Sequence, residues 1–176
     1  MNIENYINLM HARYSVRKYT EEQISDEDLD NILEVARLSP TAKNQQSFRL
    51  CVVQDPENLA KIDECTPFRF GAPTAIIVAY DKSASCKGLG YETGDFGDID
   101  ASIVLTNMAN AAAAAGLGSC MVGAYDPQKI RERFNVPENY VLVDMLMIGH
   151  PAPDAKPSKR HEMSLNIDEL VSRESF

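Results

Sequence analysis

The sequence predicts a layered domain, α/β or α+β, and three observations carry that reading. Segments with apolar residues at helical spacing alternate along the chain with short apolar runs of strand length. The run Thr74-Ala75-Ile76-Ile77-Val78-Ala79-Tyr80 is almost unbroken, as expected for a central strand covered on both faces. A third segment, from Asp98 or Asp100 to Ala115, contains five consecutive alanines with Ile103, Leu105 and Met108 on more than one side, the pattern of a buried helix. No repeat, low-complexity stretch or composition break divides the 176 residues, so one domain over residues 1–176 is expected.

The elements follow in order. Ile3, Tyr6, Ile7 and Met10 mark an amphipathic helix ending near Ala12. Ser25 is an N-cap candidate, followed by three acids in the first turn and an apolar face of Leu29, Ile32, Leu33 and Ala36, until Pro40 stops the helix. Phe48 to Gln54 reads as a strand, and Pro56 to Glu64 as a helix with Pro in its first turn. Residues 81–97, with four glycines among polar residues, read as a long loop. After the alanine-rich helix, Gly116 supplies a left-handed C-terminal residue. Asp126-Pro127 opens a short helix to Phe134, Tyr140 to Ile148 is a further strand, and residues 151–161, with three prolines, form an extended surface tail before a helical piece near Ile167 to Val171.

Composition narrows the function. Seventeen Lys and Arg face twenty-six Asp and Glu, a formal net charge of −9, which disfavours nucleic acid and anionic lipid as partners. The N-terminus lacks the basic start and apolar run of a signal peptide, and no segment is apolar enough for a membrane span, so a cytoplasmic protein is expected. The four cysteines contain no C-x-x-C pair and the three histidines, His11, His150 and His161, are scattered, so no metal site is expected. Cys51 and Cys120 sit in apolar runs and read as small buried hydrophobes. Neither a G-x-S-x-G elbow nor a Walker-type phosphate loop is present.

The basic residues are not evenly spread. Arg13-Tyr14-Ser15-Val16-Arg17-Lys18 and Lys156-Pro157-Ser158-Lys159-Arg160-His161 each hold three cations and no acid, which leaves eleven cations against twenty-six acids elsewhere. Such clusters can cradle a phosphate, Arg offering bidentate geometry, or can be solvated faces. The polar loop Ser39 to Phe48 can bond the edge of a polar ring or simply end a helix. Gly116 to Gly123 is spaced for backbone N–H groups to approach a planar ligand or for tight packing. It is not a dinucleotide fingerprint, because here the helix precedes the glycines.

Arg13-x-Ser15-x-Arg17, the Ser-Pro-Thr-Ala-x-Asn-x-Gln of residues 39–46 and the Ala-Ala-x-x-x-Gly-Leu-Gly-Ser-Cys of residues 111–120 together resemble the FMN-dependent nitroreductase family, from Arg13 through Gly149-His150-Pro151 to the basic tail. The resemblance implies an α+β layered fold, a central, mostly antiparallel sheet flanked by helices, and an intertwined homodimer with two FMN molecules at its interface. It implies that Arg13, Ser15 and Arg17, joined by Lys159 and Arg160, hold the FMN phosphate and ribityl chain, with Tyr14 in the same ligand set where a second arginine is frequent. Pro40, Thr41, Ala42 and Asn44 match the loop that reaches FMN from the other subunit, and Cys120, Met121, Val122 and Gly123 match the passage facing the flavin ring. In such enzymes flavin N5 takes hydride from NADH or NADPH and passes electrons to a nitroaromatic, quinone or similar acceptor in a ping-pong cycle, with no protein nucleophile; Arg17 is positioned to stabilise negative charge on the ring. Lys43 stands where glycine is frequent, Ser47-Phe48 replace Pro-Trp, and Met121 replaces a frequent tryptophan. Between Cys65 and Arg69, Thr66 or Arg69 is the candidate flavin contact. Reductive dehalogenation, flavin breakdown and flavin storage are the alternative roles, and a plain interaction domain with a basic tail is the reading from another class.

Overall fold

In the computed structural model, which describes residues 2–88 and 94–176, the chain runs α1 (Ile3–Ala12), α2 (Asp26–Leu38), β1 (Phe48–Val53), α3 (Pro56–Cys65), β2 (Thr74–Asp81), α4 (Gly97–Ala114), β3 (Gly118–Val122), α5 (Pro127–Phe134), β4 (Tyr140–Gly149) and α6 (Ile167–Leu170). Helix starts are set by side chains that satisfy orphan N–H groups. Ser25 Oγ accepts from the Asp28 N–H (3.0 Å), Asp55 from Glu57 and Asn58, and Asp126 from Gln128 and Lys129, the last two caps preceding a proline. At the end of α4, Gly116 adopts φ +77° while the Leu117 N–H donates to the Ala112 carbonyl and the Gly116 N–H to that of Ala113. This is a Schellman closure, and it turns the chain directly into β3.

The strands form one sheet in the order β1-β2-β4-β3 with every pairing antiparallel. β2 is internal and buried from Thr74 to Tyr80. Ile76, Val78 and Tyr80 pack toward α2 and α4 on one face, with Ile32, Val104, Leu105 and Met108. On the other face Ala75 and Ile77 join Leu59 and Ile62 of α3 and Ile130 of α5. An unbroken apolar run is therefore covered on both faces here by helices flanking an antiparallel sheet, giving the α+β layered architecture.

Three expectations change. Residues 118–122, read as a glycine-spaced passage, are an edge strand. α4 is not covered all round: Val104, Leu105, Met108 and Ala112 face the core, while Ser102 and Thr106 are exposed and Ile99 keeps 48% of its surface. Cys51 is exposed rather than buried, because β1 is the other edge of the sheet and its side chain lines an open groove beside Phe134. Cys120 is buried as expected. No helix among the described residues is long and apolar enough to cross a membrane.

Candidate functional site

The segment after α1 is fastened along the edge of the sheet. The Val16 N–H donates to the Ser119 carbonyl (2.9 Å), and Ser15 bridges Ser119 in parallel. Farther on, the Thr20 N–H donates to the His150 carbonyl and the Ala152 N–H to that of Lys18. Val16 and Tyr19 point into the core, so Arg17 and Lys18 are left on the surface. The sequence from Arg13 to Thr20 thus lies between β3 and the chain leaving β4, which is why residues 15, 17 and 119–123 meet.

Where they meet is a cavity of about 350 Å³ lined by Arg17, Phe68, Phe70 and the run Cys120 to Ala124. Cys120, Met121, Val122 and Gly123 therefore share one hollow with Arg17. Met121 is 38% exposed, with its neighbours on either side buried. Burial pushes the Cys120 thiol above its ordinary range, against the Arg17 guanidinium and a Ser15 hydrogen bond that both lower it. Burial likewise raises the Asp144 carboxyl, which sits across from Gly123 and accepts from the Met145 N–H. A smaller, separate cavity of about 190 Å³ is lined by Arg13, Tyr14, Ser119 and Pro151.

The second basic segment comes to the first. Lys159–Glu162 forms a single 3-10 turn, His161 Nε2 lies 3.1 Å from the His11 carbonyl, and the Tyr14 and His161 rings meet edge-on with centroids 6.1 Å apart. Among the described residues none of Arg13, Arg17, Lys159 and Arg160 is in an ion pair, whereas Lys18 is paired with Asp154. In a chain with twenty-six acids this collects unneutralised positive charge in one place.

The loop holding Pro40, Thr41, Ala42 and Asn44 is elsewhere. The Ala42 N–H donates to Asp100 Oδ1 (2.9 Å) and Asn107 Nδ2 to Ser39 Oγ (2.9 Å), pinning the loop to the first turn and the middle of α4. Lys43, Asn44 and Gln46 all adopt positive φ, so its shape is strongly specified. Along α4 from Asp100 to Ala113, which lines the smaller cavity, is roughly 20 Å at 1.5 Å per residue. Among the described residues no hydrogen bond joins this loop to Arg13, Arg17, Lys159 or Arg160.

Thr66 and Arg69 are engaged within the fold. The Thr66 hydroxyl donates to the Ala124 carbonyl (2.7 Å), and Arg69 grips both oxygens of Asp63 and the Ala72 carbonyl. Their neighbours Phe68 and Phe70 line the cavity instead, Phe70 in the left-handed region at φ 58°. Sequence reasoning passed over these two rings, although Pro67-Phe68-Arg69-Phe70-Gly71, an aromatic pair ended by Gly, was the signal. It also missed Asp100, whose acid in a helix first turn reads as ordinary dipole compensation.

The cavity can take a flat, largely apolar ring with the Arg17 cation at one edge, and Arg13, Lys159 and Arg160 are cations suited to an anionic tail. Comparison with known proteins gives the same class. The sequence profile of the Nitroreductase family matches residues 10–66 and 64–150, and the chain belongs to that family. It is 31% identical over 183 residues to an FMN reductase [NAD(P)H] of Bacillus subtilis, covering 90% of this chain and 74% of that one. Its fold superposes on a nitroreductase family protein from Clostridium difficile 630 with a TM-score of 0.91, at 33% identity and full coverage of both chains. It superposes on an FMN-dependent nitroreductase from Clostridium difficile R20291 with a TM-score of 0.79, at 29% identity over 97% of this chain and 99% of the other.

Proposed function

We propose that residues 1–176 form one FMN-binding domain of a cytoplasmic, homodimeric NAD(P)H oxidoreductase that reduces a small acceptor, a nitroaromatic, quinone or similar molecule, by a ping-pong mechanism. The observation that carries this is that the segment Arg13 to Arg17 links an apolar cavity lined by Arg17 and Cys120 to Gly123 with the turn of Lys159 and Arg160, neither of which is in an ion pair among the described residues.

Bound FMN supplies hydride and electron transfer through its N5. The chain supplies the binding. Arg13, Ser15, Arg17, Lys159 and Arg160 hold the phosphate and ribityl chain, with Tyr14 beside them, and the charge-assisted hydrogen bonds available to the arginines suit a phosphate. The free backbone edge at Met121, on the strand paired with β4, would face the ring and tune its electronics, and the Arg17 guanidinium would favour negative charge at its edge. Met121, Phe68 and Phe70 form apolar walls that exclude water and stack a planar acceptor. Pro40, Thr41, Ala42 and Asn44 complete the site from a second copy, which the separation along α4 favours.

Anaerobic addition of NADH or NADPH to the yellow protein should bleach it, and an acceptor panel should then restore the colour, with parallel double-reciprocal plots. A colourless chain that takes up no added FMN would overturn the proposal. A flavoprotein that neither nicotinamide bleaches would instead favour flavin storage.

A further inference from the structure

The C-terminal segment is tethered to the body of the chain at one place. From Lys156 to Phe176 every hydrogen bond among the described residues is local, except that between His161 Nε2 and the His11 carbonyl. All residues from Lys156 onward are exposed, so packing within the chain does not hold them. The His11 carbonyl is one of the last-turn acceptors of α1 that have no partner within the helix. A carbonyl only accepts, so the nitrogen facing it carries the hydrogen and His161 caps the helix end. The imidazole also makes the edge-on contact with Tyr14. Lys159 and Arg160 precede His161 in the same tight turn, whose ends are closed by the His161 N–H to the Ser158 carbonyl (2.9 Å) and the Met163 N–H to that of Arg160 (3.2 Å). Fixing the imidazole therefore fixes both cations relative to Arg13.

We propose that His161 and Tyr14 act as a latch: they position Lys159 and Arg160 in advance against Arg13, so that the site selects a flavin ending in a phosphomonoester over the same flavin without it. His161 is a positioning residue, and the inference rests on the FMN reading above. Without the latch, the lysine and arginine must be ordered when the phosphate binds, and that entropy is taken from the affinity for the phosphate alone.

The test measures FMN and riboflavin binding to the flavin-stripped, full-length chain by fluorescence quenching. His161→Ala should weaken FMN by about tenfold and riboflavin by less than about twofold. His161→Gln, whose amide can still donate to the His11 carbonyl, should recover part of the loss. Equal weakening of both flavins would show a merely structural role and overturn the latch, as would an unchanged ratio. A wild-type chain that binds neither flavin would overturn the FMN reading itself, and one that binds both equally would overturn the phosphate cradle while leaving the ring site standing.

Discussion

Gly118 joins the core to the candidate site through its lack of a side chain. A Cβ there would lie 2.7 Å from Val16 Cγ2 and 3.0 Å from Pro151 Cγ. Val16 is 2% exposed and β-branched, so it has no free rotamer to retreat into. The alternative is to move the backbone of residues 15–17, which carries Ser15 and Arg17 to the cavity. Gly118→Ala is expected to cost about 1–3 kcal/mol in urea denaturation and to weaken FMN binding in the same variant. Gly123, whose added Cβ would stand 3.7 Å from Asp144, should accept alanine within about 0.5 kcal/mol. Equal stability losses at the two glycines would contradict this account. Of the two uses open to the glycine run, tight packing explains Gly118, and the turn explains Gly116.

At the scale of elements, the start of α4 depends on a carboxylate. Lys87 and Asp95 form an isolated bridge, and Asp95 accepts from Lys87 Nζ (2.8 Å) and from the Gly97 N–H (2.9 Å). Burial pushes the Asp95 carboxyl up, but these bonds and one from Ser85 outweigh it and hold the group at about 2, below its ordinary 3.8. Since the folded value is the lower one, the stabilisation is present above about pH 4 and is lost as pH falls toward 2. Hydrogen exchange at the Gly97 amide should accelerate, relative to its intrinsic rate, over that window. Asp95→Asn, which keeps an acceptor but no titration, should remove the pH dependence; constant protection in the wild type between pH 4 and 2 would refute the assignment. This pairing joins two polar residues eight positions apart and leaves no periodic trace. The helices were legible because caps and apolar spacing are local: Ser25, Asp55 and Asp126 each announce a start. β3 was hidden because Gly118-Ser119-Cys120-Met121-Val122 is short and glycine-led, and its strand character comes from pairing with β4. Cys51 and the open side of α4 were misread for the converse reason, since an apolar pattern states that a residue can be covered and not what covers it. The candidate site is written in the sequence as ordered motifs, whereas the Tyr14–His161 contact and the Asp100 anchor bring together residues far apart in sequence.

The apolar surface left open belongs to the scale of the whole molecule. Ile3, Tyr6 and Ile7 on α1 are 73%, 42% and 47% exposed, and α1 buries none of its residues. Beside Asp98, Ile99, Ser102 and Thr106 the open side of α4 borders a shallow concavity of about 490 Å³, and Leu165, Ile167 and Leu170 in the tail are more than half exposed. A helix that buries nothing draws little stability from its own chain, because most helical stability comes from packing an amphipathic face. The homodimer proposed above would cover all three surfaces at once, and it would also bring the loop of Pro40, Thr41, Ala42 and Asn44, anchored at Asp100, to the other copy's cations. On that proposal association and cofactor binding should be linked: FMN should raise the affinity between copies, and dilution should release FMN as the dimer parts. Light scattering at rising concentration is expected to show a dimer, with flavin fluorescence appearing over the same range in which it dissociates. Ile7→Asp combined with Ile99→Asp should shift the midpoint to higher concentration for both signals together. A wild-type monomer that retains one FMN per chain at every dilution would show instead that each chain completes its own site, and the loop at residues 40–44 would then need another role.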